Sequence, residues 1–138
     1  GVPNGELVRL CYSGKYTEKE MIKQLVGKAG FNAYCGSNDA RDIEAMAKNG
    51  DKHAQLVFDA FLYQVSKDIG AQAAVLSGKV DQIILTGGIA YGKYATEEIT
   101  KRVQFIAPVT VYGGEDELLA LAQGALRVLN GEEEAKVY

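Results

Sequence analysis

Apolar residues in the first half of the chain recur at the spacing of helices. The pattern predicts four helices, which cover residues 5–13, 17–26, 40–48 and 51–76. A segment rich in Gly, Ala and Asn, residues 29–38, is predicted to be a loop. The fourth helix carries an apolar stripe so broad that we expect burial on more than one side. That stripe comprises Phe58, Leu62, Val65, Ile69, Ala73 and Leu76, and it is widened by Val57, Ala60 and Phe61.

Polar residues mark where these helices begin. Thr17 and Glu20 have the spacing of a capping box. Either Asn38 or Asp39 can cap the third helix, and Asp51 can cap the fourth.

The second half alternates strands with helices. Strands are predicted over residues 80–86 and 108–112, and helices over residues 94–103 and 116–129. This order indicates parallel strands joined by a crossover helix, and therefore the α/β class, rich in helix with a short parallel sheet. A Gly-Gly pair follows each strand, so both turns should lie on one edge of the sheet. Two strands make a poor sheet, and we expect further strands from chain preceding this sequence.

Composition excludes several classes of protein. The 15 basic and 18 acidic residues are scattered and sum to −3, which argues against a nucleic-acid surface. No apolar run is long enough for a membrane span. One histidine, His53, and two cysteines without metal-ligand spacing make a zinc site improbable. Free thiols and the lack of an export signal favour the cytoplasm, and the start at Gly1 is typical of the interior of a longer chain.

The first candidate site is the turn that begins at Gly87 and Gly88. Paired glycines free the backbone, and they remove side-chain bulk where a ligand must lie against the main chain. A plain strand-to-helix turn is the alternative. Gly87, Gly92 and Lys93 also fit most of the P-loop spacing. Tyr94 stands where that motif needs a hydroxyl residue for Mg²⁺, which disfavours a P-loop.

Two polar segments are further candidates. Asn38 or Asp39 could accept a hydrogen bond from a ribose hydroxyl or an adenine amine, with Arg41 over the base or near a phosphate. Capping of the third helix alone would explain the same residues. The acidic residues 115–117 after the second Gly-Gly pair could hold Mg²⁺, usually through water, although the helix dipole alone also favours carboxylates there.

At this point the motifs resemble those of the butyrate kinase branch of the acetokinase family. The resemblance runs through residues 7–20, 36–41, 86–91, 114–117 and 124–133 in the family's order. It implies the two-domain, actin-like ATPase fold with ribonuclease H-like sheets. Residues 1–138 would be the C-terminal nucleotide-binding portion, without the N-terminal domain. It also implies phosphoryl transfer between ATP and a short-chain carboxylate such as butanoate, with Mg²⁺, in a cytoplasmic homo-oligomer.

The resemblance also implies roles for single residues. The residues expected against adenine and ribose are Gly87, Gly88, Ile89, Ala90 and Tyr91. Those expected on the other side of the nucleoside are Asn38, Asp39 and Arg41. The acidic turn should direct a carboxylate toward Mg²⁺; Glu115 is preferred, with Asp116 or Glu117 as alternatives.

Other motifs of such a kinase have no counterpart in this sequence. The family's acyl pocket and its transition-state arginine and histidine lie earlier in the chain, so we expect no catalytic residue here, and His53 matches no catalytic motif. The chain alone should bind nucleotide weakly or not at all and show no kinase activity. Two alternatives are an inert module that serves oligomerisation and a kinase for a branched-chain carboxylic acid.

Overall fold

A computed structural model describes residues 3–114 and 117–135, and the chain divides into two compact units, Gly1–Asp68 and Ile69–Tyr138. The first unit is helical. Its helices are α1 (Asn4–Cys11), α2 (Glu18–Lys23), α3 (Phe31–Cys35), α4 (Ala40–Lys48) and the first part of α5 (Lys52–Val75).

Side chains cap three of these helices as predicted. The Thr17 amide donates to the Glu20 carboxylate at 2.8 Å and the Glu20 amide donates to Thr17 Oγ1 at 3.3 Å, which completes the capping box. Asp39, rather than Asn38, caps α4. Asp51 Oδ1 accepts the amides of residues 53 and 54 at the start of α5.

The segment between α2 and α4 differs from the prediction. Val26 and Gly27 leave helical geometry, so the second helix ends earlier than expected. Residues 31–35 form α3 where a loop was predicted, since the Phe31 ring packs against Phe58 and Phe61 with centroids 6.1 and 4.9 Å apart. This tertiary contact overrides the loop-forming composition.

The core of the first unit lies along one face of α5. Its buried members are Met21, Ile43, Ala54, Phe58, Leu62 and Ser66. The buried Ser66 hydroxyl has a hydrogen-bond partner, because it donates to the Leu62 carbonyl at 2.8 Å. The expectation that α5 is buried on more than one side is wrong for the described chain: Leu56 and Tyr63 are exposed, as is Val75 near the helix end.

The second unit contains the sheet. Strands β1 (Ile83–Leu85) and β2 (Val109–Val111) are joined by α6 (Lys93–Val103), and α7 (Glu117–Leu129) follows. The strands are parallel, with Ile83 paired to Val109 and Leu85 to Val111, which confirms the predicted crossover. β1 is buried on one face only, because Ile84 is 58% exposed. Its other face supplies Ile83 to a core with Ala95, Ile99, Val103 and Ala107.

Helix α7 confirms the last predicted element, but its apolar face lies open. Leu118 is 84% exposed and Leu129 is 80% exposed. Among the helices that the structure describes, none is long and apolar enough to cross a membrane.

Candidate functional site

The two Gly-Gly turns of the second unit meet at the edge where both strands end. Gly87 and Gly114 form an isolated antiparallel bridge. Nearby, the Tyr112 amide donates to the Leu85 carbonyl at 2.8 Å, and Thr86 Oγ1 donates to the Gly114 carbonyl at 3.5 Å. The prediction that both turns share one edge is confirmed.

The first turn requires glycine at its start. Gly87 has φ 81° and ψ −173°, a backbone region that residues with a side chain rarely occupy. A 3-10 turn, Gly88–Tyr91, follows and is closed by amide donation from Ala90 to the Gly87 carbonyl at 3.1 Å. Gly88 and Tyr91 are exposed, Gly87 and Ile89 are half-buried and Ala90 is buried. The turn therefore presents main chain and one aromatic side chain to solvent, with Ala90 as its anchor.

Tyr91 reaches the second turn, a contact that sequence reasoning missed. A β-carbon placed on Gly113 would lie 3.2 Å from Tyr91 Cδ1, and one on Gly114 would lie 2.8 Å from the Tyr91 hydroxyl oxygen. The tyrosine side chain thus occupies the space that side chains at both glycines would need. In the sequence, this contact is marked only by the glycine pair at 113 and 114, which does not indicate which residue approaches it.

The acidic residues expected to face Mg²⁺ follow Gly114 directly. Glu115 and Asp116 lie outside the described residues. Among residues 3–114 and 117–135, no cluster of three or more His, Cys, Asp or Glu residues could hold a metal ion. The assignment of Mg²⁺ to the acidic turn therefore stays a prediction.

The polar candidates of the first unit are tied together at the start of α4. Asp39 Oδ1 accepts from the amide and Nε of Arg41, both at 2.9 Å, and Asp39 Oδ2 accepts from Arg41 Nη2 at 2.5 Å. Ser37 Oγ accepts from the Asp39 amide at 3.1 Å and donates to Asp42 Oδ2 at 2.6 Å. The arrangement fixes the backbone of the segment before any ligand arrives.

These bonds hold the Asp39 carboxyl in its charged form. Donation from the Arg41 side chain, followed by donation from its amide, lowers the pKa of Asp39 from 3.8 to about 2. An ionised carboxylate has about four acceptor positions, and four hydrogen bonds from Arg41 already engage both Asp39 oxygens, so a sugar hydroxyl would have to share or displace one of them.

Asn38 lines a cavity of the first unit. This cavity has a volume of about 640 Å³ and mostly apolar walls. Its aromatic lining comes from Phe31, Tyr34 and Phe61, with His53 beside them, where His53 Nε2 lies 3.2 Å from the Tyr34 carbonyl oxygen. Asn38 is thus an amide at an apolar cavity, a setting in which a flat heterocycle can bury its faces and still find a polar partner.

The cations near both candidate segments are already paired. Arg41 contacts Asp39, and Lys93 Nζ lies 3.8 Å from Glu97 Oε1 one turn along α6. Neither pair leaves an obvious uncompensated positive charge for a phosphate, because each cation faces its own carboxylate.

Comparison with known proteins identifies the family. The profile of the Acetokinase family matches residues 8–135. Butyrate kinase 2 of Clostridium acetobutylicum is 61% identical over 137 residues, which cover 99% of this chain and 38% of that protein. Butyrate kinase 1 of the same organism is 55% identical over 138 residues, which cover 100% of this chain and 39% of that protein. The chain belongs to the Acetokinase family, and it spans about two fifths of the length of these curated relatives.

Solved structures support the fold. The crystal structure of Porphyromonas gingivalis acetate kinase matches 77% of this chain and 27% of its own, with a TM-score of 0.67 and 30% identity. The crystal structure of a propionate kinase from Francisella tularensis matches 77% of this chain with a TM-score of 0.66. Its identity of 22% supports the fold alone. The expected class is confirmed: a helix-rich part of an actin-like ATPase fold with a short parallel sheet. At the level of the family, ATP or ADP is used, usually with Mg²⁺.

Proposed function

We propose that this chain is the nucleoside-binding portion of a cytoplasmic, homo-oligomeric carboxylate kinase. The reaction is phosphoryl transfer between ATP and butanoate, the acid named in its relatives, giving butanoyl phosphate and ADP. The observation that carries the proposal is the bridge between Gly87 and Gly114, which joins the two turns at the edge where parallel strands end. Ligands of open α/β sheets bind at this edge. High identity to butyrate kinases favours this interpretation over an inert interaction module.

The first turn would receive the nucleoside. Gly87 and Gly88 leave the main chain bare, Ile89 offers apolar surface and Ala90 anchors the turn, so a sugar or base can lie directly against the backbone. Tyr91, the last residue of the turn, is assigned to the same nucleoside-binding surface.

The polar segment would serve the nucleoside from the first unit. The Asp39 carboxylate, held ionised, would accept a ribose hydroxyl in place of one hydrogen bond from Arg41, and Arg41 is held beside it for stacking over the base. Asn38 would read the heterocycle at the apolar cavity that it lines.

Glu115 or Asp116 would hold Mg²⁺ behind the second turn. When bound, this ion neutralises phosphate charge during transfer. The chain's own contribution is positional: the bridge to Gly87 holds Gly114, the residue before the acidic segment, beside the nucleoside turn.

The cationic groups that surround the transferred phosphoryl would come from elsewhere. Phosphoryl transfer depends on such charges, whereas the carboxylate acceptor is already ionised at neutral pH and needs no base. Arg41 and Lys93 are exposed and each faces one carboxylate, Asp39 and Glu97, so they would not by themselves enclose a transferred phosphoryl group. We therefore assign the phosphate clamp and the acid pocket to the N-terminal domain, in the part of the relatives that this chain does not span.

Nucleotide titration of the chain tests the proposal. Weak binding of ADP with Mg²⁺, detectable at millimolar ligand by calorimetry or amide resonances, should disappear in Gly88→Val because the side chain fills the bare turn. Gly70→Val is the matched control, since a β-carbon there meets open space on α5.

The outcomes separate the parts of the proposal. Binding that survives Gly88→Val would contradict the nucleoside turn. Rapid butanoyl phosphate formation by the purified chain would contradict the assignment of the phosphate clamp to another domain.

A further inference from the structure

The connection between α3 and α4 runs from Gly36 to Asp39, and backbone hydrogen bonds fix both of its ends. At the first end, Gly36 has φ 79° and its amide donates to the Asn32 carbonyl at 2.9 Å. At the second end, the Asp39 carbonyl accepts the amides of residues 42 and 43 at 3.1 and 3.3 Å. The two residues between these ends therefore need a tie of their own if they are to keep one position.

The Ser37 hydroxyl supplies that tie through two hydrogen bonds of opposite direction. It accepts from the Asp39 amide at 3.1 Å and donates to Asp42 Oδ2 at 2.6 Å. A hydroxyl has one proton and two lone pairs, so giving the proton to Asp42 leaves a lone pair for the Asp39 amide. Asp42 thus sets the orientation in which Ser37 serves Asp39.

A comparison with α2 shows what the serine adds. Both α2 and α4 carry a carboxylate at their third helical position, Glu20 in the first and Asp42 in the second. In α2 the Thr17 amide donates directly to the Glu20 carboxylate at 2.8 Å, as in an ordinary capping box. Asp42 is one methylene shorter, and the Ser37 hydroxyl lies between its carboxylate and the Asp39 amide. The capping interaction of α4 is therefore relayed through a third side chain.

We propose that Ser37 is a positioning residue, oriented by Asp42, that places Asn38 and Asp39 for the nucleoside. This inference rests on the proposed function, and it requires no contact between Ser37 and the ligand. Asn38 lies between Ser37 and Asp39 in the chain and lines the apolar cavity of the first unit. The hydrogen bond that joins its two neighbours restricts the positions that Asn38 can adopt at the cavity. Nucleotide affinity should therefore depend on a hydroxyl and a carboxylate that do not touch the nucleotide.

The first measurement is the ADP affinity of Ser37 variants, taken from the amide resonances of the ¹⁵N-labelled chain with Mg²⁺ present. Ser37→Ala should weaken ADP binding by about three- to tenfold, the change in an equilibrium that corresponds to one hydrogen bond. The amide resonances of residues 38 and 39 should move in this variant even without ligand. Ser37→Thr retains a hydroxyl and should recover most of the affinity.

Thr17→Ala is the matched control. It removes a hydroxyl from the cap of α2, where Thr17 Oγ1 accepts the Glu20 amide at 3.3 Å. Thr17→Ala and Ser37→Ala should each lower the melting temperature by a few degrees. Only Ser37→Ala should weaken ADP binding, because α2 has no part in the proposed nucleoside site. Equal losses of ADP affinity in the two variants would overturn the positioning role, since the effect would then follow stability alone.

A double-mutant cycle tests the relay. Asp42→Ala should weaken ADP binding about as much as Ser37→Ala does, because the hydroxyl loses the acceptor that orients it. The variant that carries both substitutions should bind ADP no more weakly than either single variant, since both remove the same relay. Losses that add in the double variant would overturn the relay.

The remaining outcomes separate this inference from the function on which it rests. If the wild-type chain shows no ADP-dependent shifts, the proposed function fails and the positioning role fails with it. If ADP binds to the wild type and Ser37→Ala keeps the full affinity, the positioning role alone is overturned. Unmoved resonances of residues 38 and 39 in ligand-free Ser37→Ala would overturn the tie itself.

Discussion

The two candidate segments are organised in opposite ways. The polar segment around Asp39 is held by side-chain hydrogen bonds, with Arg41 donating to both carboxylate oxygens. The paired glycine turns are held by a backbone bridge, by the positive φ of Gly87 and by the Tyr91 ring against the second glycine pair. The first segment is therefore sensitive to charge and pH, and the second is sensitive to added bulk.

This difference indicates what each segment offers a ligand. Charged side chains that are already paired offer a rigid and ionised acceptor. Bare backbone offers room for a ligand and little chemistry of its own.

The largest effect on this contrast is expected from Gly87→Ala. The alanine must adopt φ near 81° with ψ near −173°, so the substitution should lower the free energy of unfolding by about 1–3 kcal/mol. Thermal or urea unfolding measures the loss. Amide resonances of Gly114 should move as well, because the bridge to Gly87 is disturbed.

Gly70→Ala is the control for that experiment. Gly70 lies within α5 and open space surrounds its added β-carbon, so alanine should raise the free energy of unfolding by about 0.5–1 kcal/mol. A Gly87→Ala chain as stable as the wild type would show that the turn tolerates side chains, and the contrast between the segments would collapse.

Sequence reasoning was accurate where the signal is local. Thr17 and Glu20 stand three residues apart and cap α2, and Asp39 caps the helix that begins at the next residue. The shared edge of the two glycine turns also followed, because parallel strands end on one side. These features depend on residue types at short spacing or on a single topological rule.

Features that depend on tertiary packing could not be predicted. Helix α3 exists because Phe31 meets Phe58 and Phe61, some thirty residues later. Tyr91 reaches Gly113 only after the crossover through α6 and β2 has brought the turns together. The apolar stripe of α5 likewise does not indicate how much of the helix surface is covered by other residues of the described chain.

A moderate effect is expected from removing the cap of α4. Asp39→Ala leaves the amide of Arg41 without its side-chain acceptor and should lower the melting temperature by a few degrees. Asp39→Asn keeps a capping oxygen and should recover most of this loss. Equal losses in both variants would mean that charge, rather than the cap, is what stabilises the segment.

A smaller effect should appear as a function of pH. The folded-state pKa of Asp39 is lowered from 3.8 to about 2 by donation from Arg41, so the unfolded chain binds more protons between these values. The stabilisation is complete above about pH 4 and is lost as pH falls through about 2. Urea midpoints of wild type and Asp39→Asn should therefore converge toward low pH, and parallel curves would contradict the lowered pKa.

The smallest effect on stability should come from Arg41, whose side chain is 81% exposed. Exposed ion pairs contribute little, so Arg41→Lys and Arg41→Gln should change the melting temperature by only about a degree. Their effect on the pKa of Asp39 is more informative. The hydrogen bonds from the guanidinium are the largest cause of the lowered pKa, and the charge of Arg41 is the smallest.

Arg41→Lys keeps the charge but loses the forked donor geometry. It should therefore raise the pKa of Asp39 almost as far as Arg41→Gln does, measured from the carboxyl carbon resonance during an acid titration. The amide of residue 41 still donates to Asp39 Oδ1, so neither variant should restore the full value of 3.8. If lysine keeps the pKa of Asp39 as low as arginine does, simple charge attraction holds the segment. The fixed orientation of the Asp39 carboxylate would then need a different origin.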